Sequence, residues 1–146
     1  MINILVKQSI PTSKEILLQT LLEHEQLGRF FNARFSVVRA ENKNEIKGGS
    51  GCVRAIKTAG LTFQEQIMEA NSDGIHYQII GDFFLKEHVG KIMFSSNNNG
   101  SAVVTGVEYS IAFQVPWYLP SRLIKYFVES DIIKAMQKLK EHFDES

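Results

Sequence analysis

A chain of 146 residues with 44% hydrophobic and 22% charged residues fits one compact domain, residues 1–146, and leaves no room for a second. Sixteen Lys and Arg balance sixteen Asp and Glu, nine against eight in residues 1–73 and seven against eight in 74–146. Without clustered cations there is nothing to hold a polyphosphate, so no nucleic-acid partner is expected.

The lone Cys52 excludes an intramolecular disulfide and any multi-cysteine metal knuckle; it suits a reducing compartment and reads as a small buried apolar residue. The N-terminal run Met1–Lys7 lacks a basic n-region and is too short for a signal peptide. No stretch nears the roughly 20 apolar residues of a membrane span. The expectation is a soluble cytoplasmic protein without an integral membrane segment.

Residues 2–8 read as a strand, closed by Pro11-Thr12-Ser13. Thr12 and Glu15 have capping-box spacing, and Ile16, Leu17, Leu21 and Leu22 form a helical stripe, which predicts a short helix over 12–22. Residues 25–31 supply a second helix of two turns, weakened by Gly28. From 35 to 115, β-branched and aromatic runs are cut by polar turns at 42–44, 59–60, 71–74 and 97–100. That spacing predicts an antiparallel meander with strands near 35–41, 50–58, 61–70, 75–82, 88–96 and 102–115. Residues 120–143 hold no further Gly or Pro after Pro120, a favoured helix-start residue. They predict one helix of about 36 Å, its apolar face made by Ile124, Phe127, Val128, Ile132, Ala135, Met136, Leu139 and Phe143. The expected class is α+β, a curved seven-stranded antiparallel sheet gripping a long C-terminal helix.

That order, with Gly51-x-x-Arg54, Phe63-x-Glu65, Tyr77 and His88-x-Gly90, resembles the polyketide cyclase/dehydrase-like branch of the START-like helix-grip superfamily (SRPBCC). The resemblance covers essentially the whole chain. It implies an apolar cavity between sheet and long helix, in a superfamily of lipid carriers, hormone receptors, aromatase/cyclases and chaperone activators; fold alone does not choose among these.

The most informative local feature is the hairpin around Ala59-Gly60. A two-residue turn there sets Thr58 opposite Leu61, Ile56 opposite Phe63, Arg54 opposite Glu65 and Cys52 opposite Ile67, all on one face. The apolar members point that face inward and take the Arg54 and Glu65 charges with them. Such a pair either closes one end of the cavity as a structural ion pair, contacts a ligand, or serves acid/base chemistry.

The four histidines show no i, i+4 spacing, so no metal site is read; His24 and His142 are expected at the surface. His88 shares strand parity with Ile92 and Phe94, which places it at the cavity rim as a ligand donor or a satisfied strand-end residue. Tyr109 lies on the core row Val103, Thr105, Val107, Tyr109, Ile111, Phe113, a core phenol or a ligand donor. Asp131 lies at the edge of the helix stripe, between Phe127 and Ala135. Gly48-Gly49-Ser50-Gly51 lacks the Gly-Lys-Ser/Thr ending of a phosphate loop and reads as a flexible loop and strand entry. No dinucleotide fingerprint, glycine-framed nucleophile or catalytic triad is visible, and no cofactor or metal is expected.

Two aromatic loops, Phe83-Phe84-Leu85 and Trp117-Tyr118-Leu119, carry more apolar density than loops usually do; they are read as lid and mouth of the cavity, as plugs of the core, or as contacts to a membrane or partner. The candidate ligand-binding set is Arg54, Glu65, Phe63, His88, Tyr109, Trp117, Phe127 and Asp131, with no catalytic residue assigned. Three functions are open: a carrier or receptor for a small, mostly apolar ligand (a lipid, an aromatic polyketide-like compound or an isoprenoid); a cyclase/dehydratase in which Arg54 polarises a carbonyl and Glu65 or His88 moves a proton; and a protein-partner module exposing an apolar patch. The first calls for an enclosed space of at least roughly 300 Å³.

Overall fold

The computed structural model describes residues 1–97, 100 and 102–144. In chain order it contains β1 (Ile2–Ile10), α1 (Lys14–Leu22), a 3-10 helix (His24–Arg29), β2 (Arg34–Arg39), β3 (Val53–Thr58), β4 (Leu61–Asn71), β5 (Gly74–Ile80), β6 (Lys86–Ser96), β7 (Thr105–Gln114) and α2 (Ser121–Asp144). The strands form one antiparallel sheet in the order β1-β7-β6-β5-β4-β3-β2. Strands β2 to β7 are a meander, and β1 adds beside β7. The consecutive strands β1 and β2 therefore lie at opposite edges, and α1 with the 3-10 helix carries the chain from one edge to the other. This is the α+β arrangement of a curved open sheet with a long C-terminal helix.

Alternation builds the core. On β7, Thr105, Val107, Tyr109, Ile111 and Phe113 are all buried, and across the sheet Ile4, Val6, Ile75, Tyr77, Ile92 and Phe94 join them. Helix α2 closes over this face with Ile132, Ala135, Met136 and Leu139. A register shift between Ile67 and Glu69 changes the inward parity of β4, so that Glu65 and Ile67 and then Ala70 are buried while Met68 is exposed.

Several boundaries differ from expectation for local reasons. The cap of α1 is Ser13, whose Oγ accepts from the Ile16 N–H at 3.3 Å, and not Thr12. Thr12 is committed elsewhere: its N–H bonds the Ile10 carbonyl, and its own carbonyl accepts from Thr105 Oγ1 at 2.7 Å. The second helix is 3-10 and ends at Arg29, consistent with Gly28 in its last turn. Val103 is exposed and precedes β7, which starts at Thr105. Of the turn expected at 97–100, residues 98 and 99 lie outside the described residues. Phe127 is not part of the apolar contact of α2; it is 56% exposed, because its helical phase falls outside the row Ile124, Val128, Ile132, Ala135, Met136 and Leu139 that faces the core. No described helix is long and apolar enough to cross a membrane.

Candidate functional site

The turn between β3 and β4 has Ala59 at φ 50° and Gly60 at φ 78°, both left-handed as a type I′ hairpin turn requires. It fixes the expected register: Thr58 opposite Leu61, Ile56 opposite Phe63, Arg54 opposite Glu65. Beyond Val53 the pairing bulges, with Gly51 N–H bonded to the Ile67 carbonyl and Ile67 N–H to the Cys52 carbonyl. Cys52 stays buried, and burial pushes its thiol above the usual range.

Arg54 and Glu65 are both buried, at 7% and 5% exposure. The guanidinium donates from Nε at 3.0 Å and from Nη2 at 2.7 Å to one oxygen, Glu65 Oε1. It lies over the rings of Tyr77 and Phe35, with Cζ 5.1 and 5.3 Å from their centroids. Burial opposes the Arg54 charge, but the Glu65 carboxylate more than offsets this and holds the group above its ordinary pKa. Burial pushes the Glu65 carboxyl up, with Arg54 pulling the other way.

The third N–H direction of Arg54 is taken by a residue expected at the surface. His24 is 3% exposed, with Nδ1 3.0 Å from Arg54 Nη1 and Nε2 2.8 Å from the Gly48 carbonyl. A guanidinium only donates, so Nδ1 accepts and the proton sits on Nε2, where it is given to Gly48. Burial, then the adjacent Arg54, lowers the His24 pKa to about 4. Gly48 in turn donates its N–H to Glu41 Oε1 at 2.8 Å. The segment 48–51 is thus no flexible loop: Gly48, Gly49 and Gly51 are buried, Gly48 and Gly51 at left-handed φ of 78° and 90°. His142, by contrast, is exposed, its ring edge-on to Phe30.

Beside this triad the Tyr77 and Tyr109 hydroxyls are hydrogen-bonded to each other. Burial raises both phenol pKa values well above the usual range. Tyr77 fits here because its cross-strand partner is Gly90: a Cβ at Gly90 would come within 2.3 Å of the Tyr77 ring. A bulge at the start of β6, with Glu87 at φ 51°, precedes His88, which is turned inward at 9% exposure. His88 Nδ1 accepts from the Ile79 N–H at 3.3 Å, and burial lowers its pKa to about 4.

Arg54, Glu65, Tyr77, Tyr109 and His88 line a cavity of about 170 Å³ between the sheet and α2, with His24 behind them. Apart from Asn32, Thr58 and Asp131 the rest of its wall is apolar, including Ile56, Phe63, Ile75, Ile92, Ile111 and Val128, and Leu85 joins it from the β5–β6 loop. This cavity falls short of the roughly 300 Å³ that the carrier reading called for, which counts against a lipid, polyketide-like or isoprenoid occupant. The interior is occupied by the rings of Tyr77, Tyr109 and Phe113, all 3% exposed or less.

Of the sequence-derived set, Arg54, Glu65, Phe63, His88, Tyr109 and Asp131 line this cavity, Asp131 from the exposed rim. Trp117 and Phe127 do not. Trp117 is 93% exposed and touches Tyr118 edge-on, away from the cavity wall, so it is neither lid nor plug. Phe83 stacks on Phe63 at 4.7 Å between centroids, at the end of the cavity that Leu85 lines. Sequence reasoning did not place His24 or Tyr77 in the site. Leu21-x-x-His24-x-x-Leu27 carried the first signal and the alternation Ile75-x-Tyr77-x-Ile79 the second.

A curved antiparallel sheet, two short helices after the first strand and a long C-terminal helix over the concave face define the START-like helix-grip fold. Solved structures agree. A START superfamily protein from Mycobacterium smegmatis superposes with a TM-score of 0.72 at 9% identity, over 98% of this chain and 97% of that one. The protein XoxI from Bacillus cereus gives 0.72 at 16% identity over 98% and 96%. A Thermobifida fusca protein gives 0.73 at 9% identity over 99% and 95%. No family model and no curated protein sequence matches the chain.

Proposed function

We propose that the protein binds one small, largely apolar molecule in the cavity between the sheet and α2. The observation that carries this reading is a mostly apolar cavity with a buried polar cluster, Arg54, Glu65, Tyr77, Tyr109 and His88, on its wall. Its size narrows the occupant: a dry cavity of about 150 Å³ suffices for benzene, so 170 Å³ suits a single ring better than a lipid or isoprenoid chain. Native mass spectrometry and solvent extraction of the purified protein, with methyl NMR titration of ring-sized probes, test it. Saturable shifts at Ile75, Ile92 and Ile111 are expected; no shift with any probe, and no extracted ligand, removes the reading.

A second reading, a protein-partner module, is favoured by the exposure of Trp117, Tyr118, Leu123, Tyr126 and Phe127 around the start of α2. It requires a stoichiometric partner that is recovered by pull-down and lost on Trp117→Ser with Phe127→Ser. A cyclase/dehydratase in the same cavity draws less support, since His88 accepts from the Ile79 N–H and is not bonded to Arg54 or Glu65.

A further inference from the structure

Five buried polar side chains line the cavity: Arg54, Glu65, Tyr77, His88 and Tyr109. Their charges cancel. Arg54 and Glu65 are spent on each other, and His88 accepts a backbone N–H at Nδ1, where a second proton would be opposed. Behind the wall, His24 is neutral for the same reason, its Nδ1 facing the guanidinium.

Their hydrogen-bonding capacity does not cancel. Tyr77 and Tyr109 share one bond between two hydroxyls, so one phenolic proton is uncommitted. His88 uses Nδ1 and keeps an Nε2–H, and Glu65 uses Oε1 while Oε2 has no bonded partner among the described residues. With two further N–H groups of Arg54, four donors and one carboxylate acceptor are therefore unspent on the buried wall of a mostly apolar space.

We propose that the occupant is an uncharged, single-ring molecule bearing a hydroxyl group, a phenol or cyclic alcohol, whose O–H donates to Glu65 and whose oxygen accepts from the tyrosine pair or His88. The inference rests on the cavity-binding reading and adds the ligand class. A hydroxyl is the small neutral group that both donates and accepts at one atom. A plain hydrocarbon ring leaves these groups unpaired once water is displaced. An anion or an amine enters without a counter-charge, because the buried pair is already neutral. Asp131, the carboxylate at the rim, is exposed and screened by water.

The experiment is a methyl NMR titration of the full chain at neutral pH with phenol, benzene, benzoate and benzylamine, all of one-ring size. Phenol should bind at least about tenfold more tightly than benzene, with no saturable shift from benzoate or benzylamine. Tyr109→Phe should reduce the phenol-to-benzene ratio several-fold. Equal affinity for phenol and benzene, or a preference for either charged probe, overturns the ligand class while leaving the cavity reading standing. Failure of all four to bind overturns both.

Discussion

Arg54 directs two N–H groups to the same oxygen of Glu65 and a third to His24, so the only buried guanidinium among the described residues is held by an acid on one side and an imidazole on the other. Removing one partner of such a pair costs about 3–5 kcal/mol, because a charge stays behind without compensation. Glu65→Leu should destabilise the domain by that amount, and Arg54→Met combined with Glu65→Leu should recover part of it. A double-mutant cycle by urea unfolding measures the coupling, and a value near zero contradicts a buried, paired geometry.

The neutral imidazoles set a pH dependence. His24 and His88 are held near a pKa of about 4, from an ordinary 6.5, by burial above all, with Arg54 adding to the shift and hydrogen-bonded backbone pulling the other way. Between these values the unfolded chain binds more protons than the folded one, so the stability is complete above about pH 6.5 and is lost as pH falls toward about 4. Glu65, raised by burial, works in the opposite direction. Urea midpoints should drop steadily from neutral pH to about 4.5, and His88→Gln should flatten the slope. A wild-type profile that is flat across this window contradicts both assignments.

Gly90 is required by the ring that covers it. Gly90→Ala places a Cβ within 2.3 Å of Tyr77, and the ring must leave, taking its hydroxyl from Tyr109. A loss of about 1–3 kcal/mol is expected, with a changed near-ultraviolet circular dichroism signal from the displaced tyrosine. A variant as stable as wild type would mean that the ring has another place to go.

Thr105 ties β7 to the residue that precedes α1. Its Oγ1 donates to the Thr12 carbonyl at 2.7 Å, and the side chain is 1% exposed. Thr105→Val keeps the shape and leaves a buried carbonyl without its donor, at a cost of about 1–3 kcal/mol. Thermal or urea unfolding measures it, and an unchanged midpoint would show the carbonyl satisfied by other means.

Buried and exposed apolar positions at the C-terminal end of the chain should respond differently. Leu139 is fully buried, and Leu139→Ala should cost about 2–5 kcal/mol. Phe127→Ser and Trp117→Ser, at exposed positions, should stay within about 0.5 kcal/mol. A large loss at either aromatic position would mean that it packs in solution.

Much of this was legible in the sequence because it is local. A two-residue turn whose second member is Gly60 fixes which residues of β3 face which of β4, and the strand period of two then carries Arg54 and Glu65 inward with Ile56 and Ile67. The order of elements, the row Thr105 to Phe113 and the long helix follow from the same short-range rules.

What the tertiary structure decided depends on how far one element reaches over another, which no period encodes. Phe127 lies at the edge of the apolar stripe read from the sequence, and only the packing decides how wide that stripe is: Ile124, Val128 and Ile132 lie against the core while Phe127 is left exposed. His24 stands at a polar-looking junction between two short helices, but the chain crosses there from one sheet edge to the other and meets both the Gly48 carbonyl and Arg54. The cavity volume is likewise a property of packing: Tyr77, opposite Gly90, reaches across to Tyr109, and two rings joined at their hydroxyls fill space that a longer ligand would need.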